Sequence, residues 1–297
     1  MTPETSEVWS IGVVTGGELH DLAAGVPSRP LLTAAEVDDV DAGFVADPFL
    51  LCRGGRWFLF FEVWNRTADK GEIALAESPD LATWTYRGIV LREPWHLSYP
   101  HVFEHGGEVW MLPETLESGS IRLYRAVAFP ASWTLHAELL PGAFADPTPL
   151  LWHERWYLFA CPRPYSHDAL SLFVADRLDG GWREHPSSPL HVADPRRSRP
   201  AGRIVVTGGR PLRWAQDCHP RYGTAVRGFE ILALDEGRYE EREILPSPLL
   251  GPGRAGWNRD GMHHLDAHRV EDGARNGGGA RWVAAVDGVR VVTAEKP

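Results

Sequence analysis

Only three cysteines occur in the 297 residues, Cys52, Cys161 and Cys218, an odd number without metal-type spacing. That points away from a disulfide scaffold and toward buried, reduced thiols in a cytoplasmic protein. No uninterrupted apolar stretch approaches the ~18 residues that a membrane span needs. The opening MTPETSEVWSIGVV lacks the basic segment and following apolar run of a signal peptide, so none is expected. Long basic runs are missing too. Lys and Arg total 30 against 40 Asp and Glu, a net charge of −10, which argues against nucleic acid or an anionic membrane as the main partner. Finally, almost no segment has the 3.6-residue apolar period and caps of a helix.

What is abundant is aromatic and repeated. The chain carries 13 Trp and 7 Tyr, and its 30 Gly and 24 Pro are scattered as turn punctuation. ADPFLLCRGGRWFLFFE and ADPTPLLWHERWYLFA spell the same order twice: Ala-Asp-Pro, an apolar run, a polar turn, an aromatic strand. With the turn as ruler, Asp47 precedes Gly54 as Tyr99 precedes Gly106, Asp146 precedes His153 and Ala201 precedes Gly208. A looser fifth copy begins at GMHHLDAH. Periods near ~50 residues mark propellers or solenoids. Each copy reads as two hairpins, the second beginning at GEIALAES, GSIRLYRA, ALSLFVAD or TAVRGFEIL. The expected fold is all-β: one five-bladed β-propeller over 1–297, with four-stranded blades starting near 47, 99, 146, 201 and 264. The fifth copy is short and the N-terminus has a spare strand, VWSIGVVTG. That strand is expected to join the last blade near Trp9 to Val14 and close the ring, leaving no open edge.

In a propeller the innermost strands line the axis, so residues at one end of all five converge. Here these are Asp47, Tyr99 with His101, Asp146, Arg199 with Arg203, and His263, His264 and Asp266. The returning strands bring Glu62, Glu114 and Gln216-Asp217 to the same face. Crowded carboxylates split their pKa values, some acting as acids and others staying ionised. That is the arrangement glycoside hydrolysis uses, and Trp64 and Trp95 offer flat faces for sugar rings. Each residue also has a plainer use. Asp-Pro before a strand makes turns, Glu62 and Glu114 can accept hydrogen bonds between blades, Arg199 and Arg203 can neutralise the acids, and Trp side chains pack. His264, Asp266 and His268 alternate along one strand face, but no second cluster completes a transition-metal set. The expectation is no metal and no required cofactor, with a calcium or other hard cation in the channel as the open alternative.

The segments FVADPFLL, LSYPHVFEHGGEVWMLPE, SIRLYRAVAFP, RPAGRI, AQDCHPRYG and GMHHLD resemble the N-terminal domain of plant glucosamine inositolphosphorylceramide transferases and its bacterial relatives. The resemblance runs from Trp9 to about Asp287. It implies a five-bladed propeller distantly similar to the arabinanase and invertase glycosidases. In the arabinanase-like families a blade-one aspartate is base or nucleophile, a second aspartate tunes the site, and a glutamate is the acid. Asp47 and Asp146 match the first two positions. The acid has no match, since its blade-four position reads SRPAGR, and Glu114 or Asp217 would have to replace it. Three functions therefore stand open: a glycosidase or transglycosidase acting on a glycan or glycoconjugate, a glycan-binding scaffold serving a separate glycosyltransferase, and a tailoring enzyme for a small secondary metabolite.

Overall fold

A computed structural model describes residues 5–253, 256–271 and 280–293. It is an all-β, five-bladed propeller. Blade one is a meander of Ala42–Arg53, Arg56–Asn65, Lys70–Ser78 and Thr85–Leu91. Blade two follows with Ser98–His105, Glu108–Glu114, Ser120–Ala128 and Ser132–Pro141. Blade three has Ala145–Trp152, Arg155–Cys161 and Ala169–Ala175, and its outer edge is split between the short strands Arg183–Glu184 and His191–Val192. Blade four has Val205–Thr207, Arg210–Asp217, Ala225–Leu234 and Tyr239–Glu243. Helix among the described residues is limited to three short 3-10 turns.

Blade five departs from the expected four strands. It has three, Leu265–Glu271, Ala280–Thr293 and the N-terminal Thr5–Gly16, with isolated bridges from Ile11 to Leu32 on the outer edge and from Gly261 to Val289. The N-terminal strand runs antiparallel to Ala280–Thr293 from Thr5–Thr293 to Gly16–Trp282, a longer pairing than Trp9 to Val14. The turn of the fifth repeat, within 272–279, and the C-terminal 294–297 lie outside the described residues.

The core is a ring of apolar seams, one between each pair of neighbouring blades. Leu50, Leu59 and Phe61 of blade one meet Ile11, Val283 and Ala285 of blade five. Phe49, Phe58 and Phe60 meet Val102, Val109 and Met111 of blade two. Similar seams join blades two and three through Leu112 and Leu158, three and four through Leu172 and Ile231, and four and five through Trp214 and Val286. Cys161 and Cys218 are buried free thiols, but Cys52 is exposed, because it follows the inner strand out toward its turn.

The turn that sets the repeat register is a two-residue hairpin loop with both residues at positive φ: Gly54-Gly55, Gly106-Gly107 and Gly208-Gly209. Such loops match the twist of the flanking strands and favour Gly and Asn. Blade three forces His153 and Glu154 to φ of 46° and 63° instead, a conformation that costs an L-residue ~1–2 kcal/mol. Replacing the pair by His153→Asn and Glu154→Gly should raise the melting temperature by about 2–4 °C, for a net gain of about 1 kcal/mol. Calorimetry of the double variant checks this, and an unchanged melt would show that the pair is unstrained.

Candidate active site

The Ala-Asp-Pro repeat is a β-bulge. Pairing with the second strand slips between Ala46 and Phe49, between Ser98 and His101, and between Ala145 and Thr148. The residue before each proline is left-handed: Asp47 at φ 52°, Tyr99 at 47° and Asp146 at 51°. Bulges re-aim a side chain and free its backbone group from the ladder. The freed N–H groups find side-chain acceptors. Asp47 N donates to Asp287 Oδ2 (3.1 Å), Tyr99 N to Asp47 Oδ2 (3.2 Å) and Asp146 N to Glu114 Oε2 (3.1 Å). Blade four uses Gly202 at φ 129°, where a Cβ would lie 2.0 Å from Leu265 O, and its N–H donates to the Tyr99 hydroxyl at 2.7 Å.

These bulges open onto a pocket of about 230 Å³. Asp47, Glu62, His96, Glu114, Arg199 and His263 supply its charged and titratable lining, and Trp9, Phe44, Trp64 and Tyr222 its aromatic walls. Phe44 and Trp64 stack at 5.8 Å and 17°, and Trp9 lies against His263 at 4.1 Å.

The charges divide into committed and uncommitted groups. Arg199 binds Asp146 through Nε (2.6 Å) and Glu114 through a terminal nitrogen (3.3 Å). Gln216 Nε2 adds a second donor to Asp146 at 2.8 Å. Burial opposes the Arg199 charge, but Asp146, Tyr222 and Glu114 outweigh it and raise its pKa, so the guanidinium stays charged. His263 Nδ1 sits 2.7 Å from Asp287 Oδ1. Burial works against its charge too, yet Asp287 and Asp47 raise its pKa.

Asp47 and Glu62 are different. Asp47 Oδ1 is buried without a hydrogen-bond partner, 3.7 Å from His263 Nε2 and 3.6 Å from His264 Nδ1. Burial alone would raise its pKa, but the two imidazoles and the Arg199 charge prevail and hold it at about 2. Glu62, 5% exposed, has no cation in contact to offset burial. Burial first, then the charges of Asp47, Glu114, Asp287 and Asp146, push its pKa well above the ordinary value, which favours the protonated form.

The other sequence candidates lie outside this pocket. Tyr99, His101, His264, Arg203 and Asp266 form a second layer around Phe49, two residues further along the inner strand. Phe49 lies 4.6–4.8 Å from the rings of His264, His101 and Tyr99, and Arg203 Nε binds Asp266 Oδ1 at 2.8 Å. His268 joins Asp266 at 2.9 Å while neither ring nitrogen of His264 has a hydrogen-bond partner, so the three alternating residues do not gather as a ligand set. Asp217 is held by Arg227 (2.7 Å) and Arg196 (3.4 Å) away from the pocket. Trp95 packs under Arg122, whose guanidinium carbon is 4.4 Å from the ring centroid.

Asp47, His263 and Asp287 each place one ligand-capable atom within 4.8 Å of the others. Asp287 has already spent Oδ1 on His263 and Oδ2 on the Asp47 N–H. Two open atoms remain, Asp47 Oδ1 and His263 Nε2. That is too few for a tetrahedral transition-metal site, and a hard cation there would draw most of its ligands from water. Sequence reasoning missed Trp9, Phe44, His96, Tyr222 and Asp287. Asp287 alone left a signal, as a single carboxylate inside the apolar run WVAAVDGV.

Residues 4–289 match the family model described as glucosamine inositolphosphorylceramide transferase 1, N-terminal. The chain belongs to this family. Glucosamine inositolphosphorylceramide transferase 1 of Oryza sativa subsp. japonica is 34% identical over 311 residues, and that of Arabidopsis thaliana 33% over 313. Each alignment covers 97% of this chain, which spans only 41% and 40% of the two relatives. The fold is shared more widely. The catalytic domain of the Coprinopsis cinerea alpha-L-arabinofuranosidase superposes with TM-score 0.61 at 13% identity, covering 95% of this chain and 97% of that one. An alpha-L-arabinanase of Cellvibrio cellulosa, complexed with arabinohexaose, gives 0.55 at 17%, covering 82% and 93%. At such identities the likeness is one of fold, and function must be argued from the site. Among the described residues no helix is long and apolar enough to cross a membrane.

Proposed function

We propose that this propeller cleaves or transfers a glycosidic bond, with Glu62 as the acid and Asp47 as the base or nucleophile. One observation carries the reading: two carboxyl groups without an arginine partner, one with its pKa held down and the other with its pKa pushed up, share an aromatic-walled pocket. Environments that push paired carboxyl pKa values apart assign acid and base roles. As the C–O bond breaks, Glu62 gives its proton to the departing oxygen. Asp47 either takes the proton of an attacking water or acceptor hydroxyl, or itself bonds to the anomeric carbon. The Phe44–Trp64 stack and Trp9 give the sugar apolar faces to lie on. Glu114, tied to Arg199, and Asp217, outside the pocket, are the weaker candidates for the acid's role. No step requires a cofactor.

A second reading is a glycan-binding domain that serves a separate glycosyltransferase. Arg199 favours it, because it occupies the blade-four position and neutralises Asp146 and Glu114. The chain's 41% span of a relative named as a transferase favours it as well.

Glu62→Gln separates the two. A carboxyl whose folded pKa exceeds its ordinary 4.5 keeps its proton while the unfolded chain ionises, so rising pH favours unfolding from 4.5 up to the raised value. The variant should therefore melt higher than wild type at pH 7, with the gain growing as pH rises above 4.5. Turnover of aryl glycosides should fall ~10²-fold. A higher melting point with no wild-type turnover and unchanged glycan binding would decide for the binding domain.

A further inference from the structure

Glu62 has one close polar neighbour that no role above uses. His96 Nε2 lies 3.5 Å from Glu62 Oε1. His96 Nδ1 accepts the Gly71 N–H at 2.9 Å, which fixes the tautomer: Nδ1 bears the lone pair and Nε2 the proton. Burial lowers the His96 pKa, keeping the ring neutral. Its backbone N–H donates to Glu117 Oε2 at 2.9 Å, and its ring lies 5.8 Å from that of Trp64. Gly71 can approach this closely only because it has no side chain. A Cβ there would stand 2.3 Å from Leu97 O, 2.7 Å from His96 Cε1 and 2.8 Å from Glu62 Oε1.

We propose that His96 is the positioning residue for the proton of Glu62: its Nε2–H holds Oε1 as the carbonyl oxygen, so that the acid proton is carried on Oε2. This deepens the catalytic reading above and rests on it for its mechanism. A protonated carboxyl has two equivalent places for its proton, and a donor fixed at one oxygen removes the choice. The groups acting electrostatically on Glu62 are the carboxylates of Asp47 from blade one, Glu114 from blade two, Asp146 from blade three and Asp287 from blade five. Arg199 of blade four also lines the pocket. Against those acids, the His96 imidazole stands 3.5 Å from Oε1 as a donor. A donor also favours the ionised form, so His96 restrains the rise in the Glu62 pKa.

Two substitutions test this in the full chain. His96→Asn retains an acceptor for the Gly71 N–H but is too short to reach Glu62. His96→Gln reaches Glu62 with an amide N–H. The titration of Glu62 is read by infrared difference spectroscopy of its protonated carboxyl band, assigned by Glu62→Gln, and the pH profile of aryl-glycoside kcat is read alongside. For His96→Asn the Glu62 titration should move upward. Its kcat should fall ~10-fold with KM within twofold, and the basic limb of the profile should move with the titration. His96→Gln should restore most of both. A Glu62 titration identical in wild type and His96→Asn overturns the inference. So does an equal loss in both variants, which would mark His96 as a packing residue. If wild type turns over no glycoside, the catalytic reading fails, while the infrared titration still decides whether His96 sets the state of Glu62.

Discussion

Deleting residues 1–16 should abolish the folded protein rather than trim its edge. The segment supplies the third strand of blade five, paired over its whole length from Thr5 to Gly16. Trp9, Ile11 and Val14 on it are 4%, 0% and 1% exposed. Truncating a buried side chain of this size costs ~2–5 kcal/mol, so losing all three removes about as much as the ~5–15 kcal/mol that holds a domain together. Deletion also exposes the edge of Ala280–Thr293, a long strand able to pair with other chains. The milder Ile11→Ala should fold and melt about 5–15 °C lower. Thermal melts and size-exclusion chromatography of both variants read the result. A deletion variant that stays monomeric and melts like wild type would place ring closure elsewhere.

Blade count and blade starts were legible because the hairpin turn repeats with physical necessity. Gly54, Gly106 and Gly208 all stand at positive φ, so the sequence marks them with the residue that conformation prefers. Blade three kept the register through His153 and Glu154 only because its flanking strands spell the pattern. Blade five was harder. Its outer strand comes from the opposite end of the chain, and its fourth position is one bridge at Leu32. The short fifth copy and the spare N-terminal strand did point to the closure, but local patterns cannot show that a fourth strand is missing.

The site was legible where the bulge repeats and dark where loops and tertiary charge decide. Asp47 and Asp146 carry the Ala-Asp-Pro signal and stand at matching bulges. The same face was expected to gather Tyr99, His101, Arg203, His264 and Asp266 as well. Strand direction separates His101, Arg203 and Asp266, since a shift of two residues moves a side chain ~7 Å along the axis, while Tyr99 and His264 turn their rings onto Phe49. Asp217 is one residue beyond Gln216, and alternation turns it to the other face, onto Arg227. The state of Glu62 was unreadable for another reason: its pKa is raised by burial and then by Asp47, Glu114, Asp287 and Asp146, which come from four different blades.

Asp47→Asn should reduce turnover ~10³-fold or more and also weaken the fold. The carboxyl is the uncommitted ion of the pocket, and an amide can neither take a proton nor bond to an anomeric carbon. Stability follows from the same charge. Held at about 2 against an ordinary 3.8, the carboxylate contributes about 2 kcal/mol at neutral pH. Because the folded value is the lower one, that contribution is present above pH ~3.8 and is lost as pH falls through about 2. The variant should therefore melt below wild type at pH 7, and the gap should close in acid. Asn can still accept the Tyr99 N–H that Asp47 Oδ2 now takes at 3.2 Å, so the bulge itself should survive. The measurement pairs turnover at a temperature where both proteins are folded with melting curves from pH 7 down to pH ~2. A variant that melts early and still turns over glycoside at the wild-type rate would make Asp47 a strut of the bulge and move the base elsewhere. Opposite stability shifts for Asp47→Asn and Glu62→Gln at pH 7, each with loss of turnover, are the signature expected of one carboxyl held ionised and the other held protonated by the same pocket.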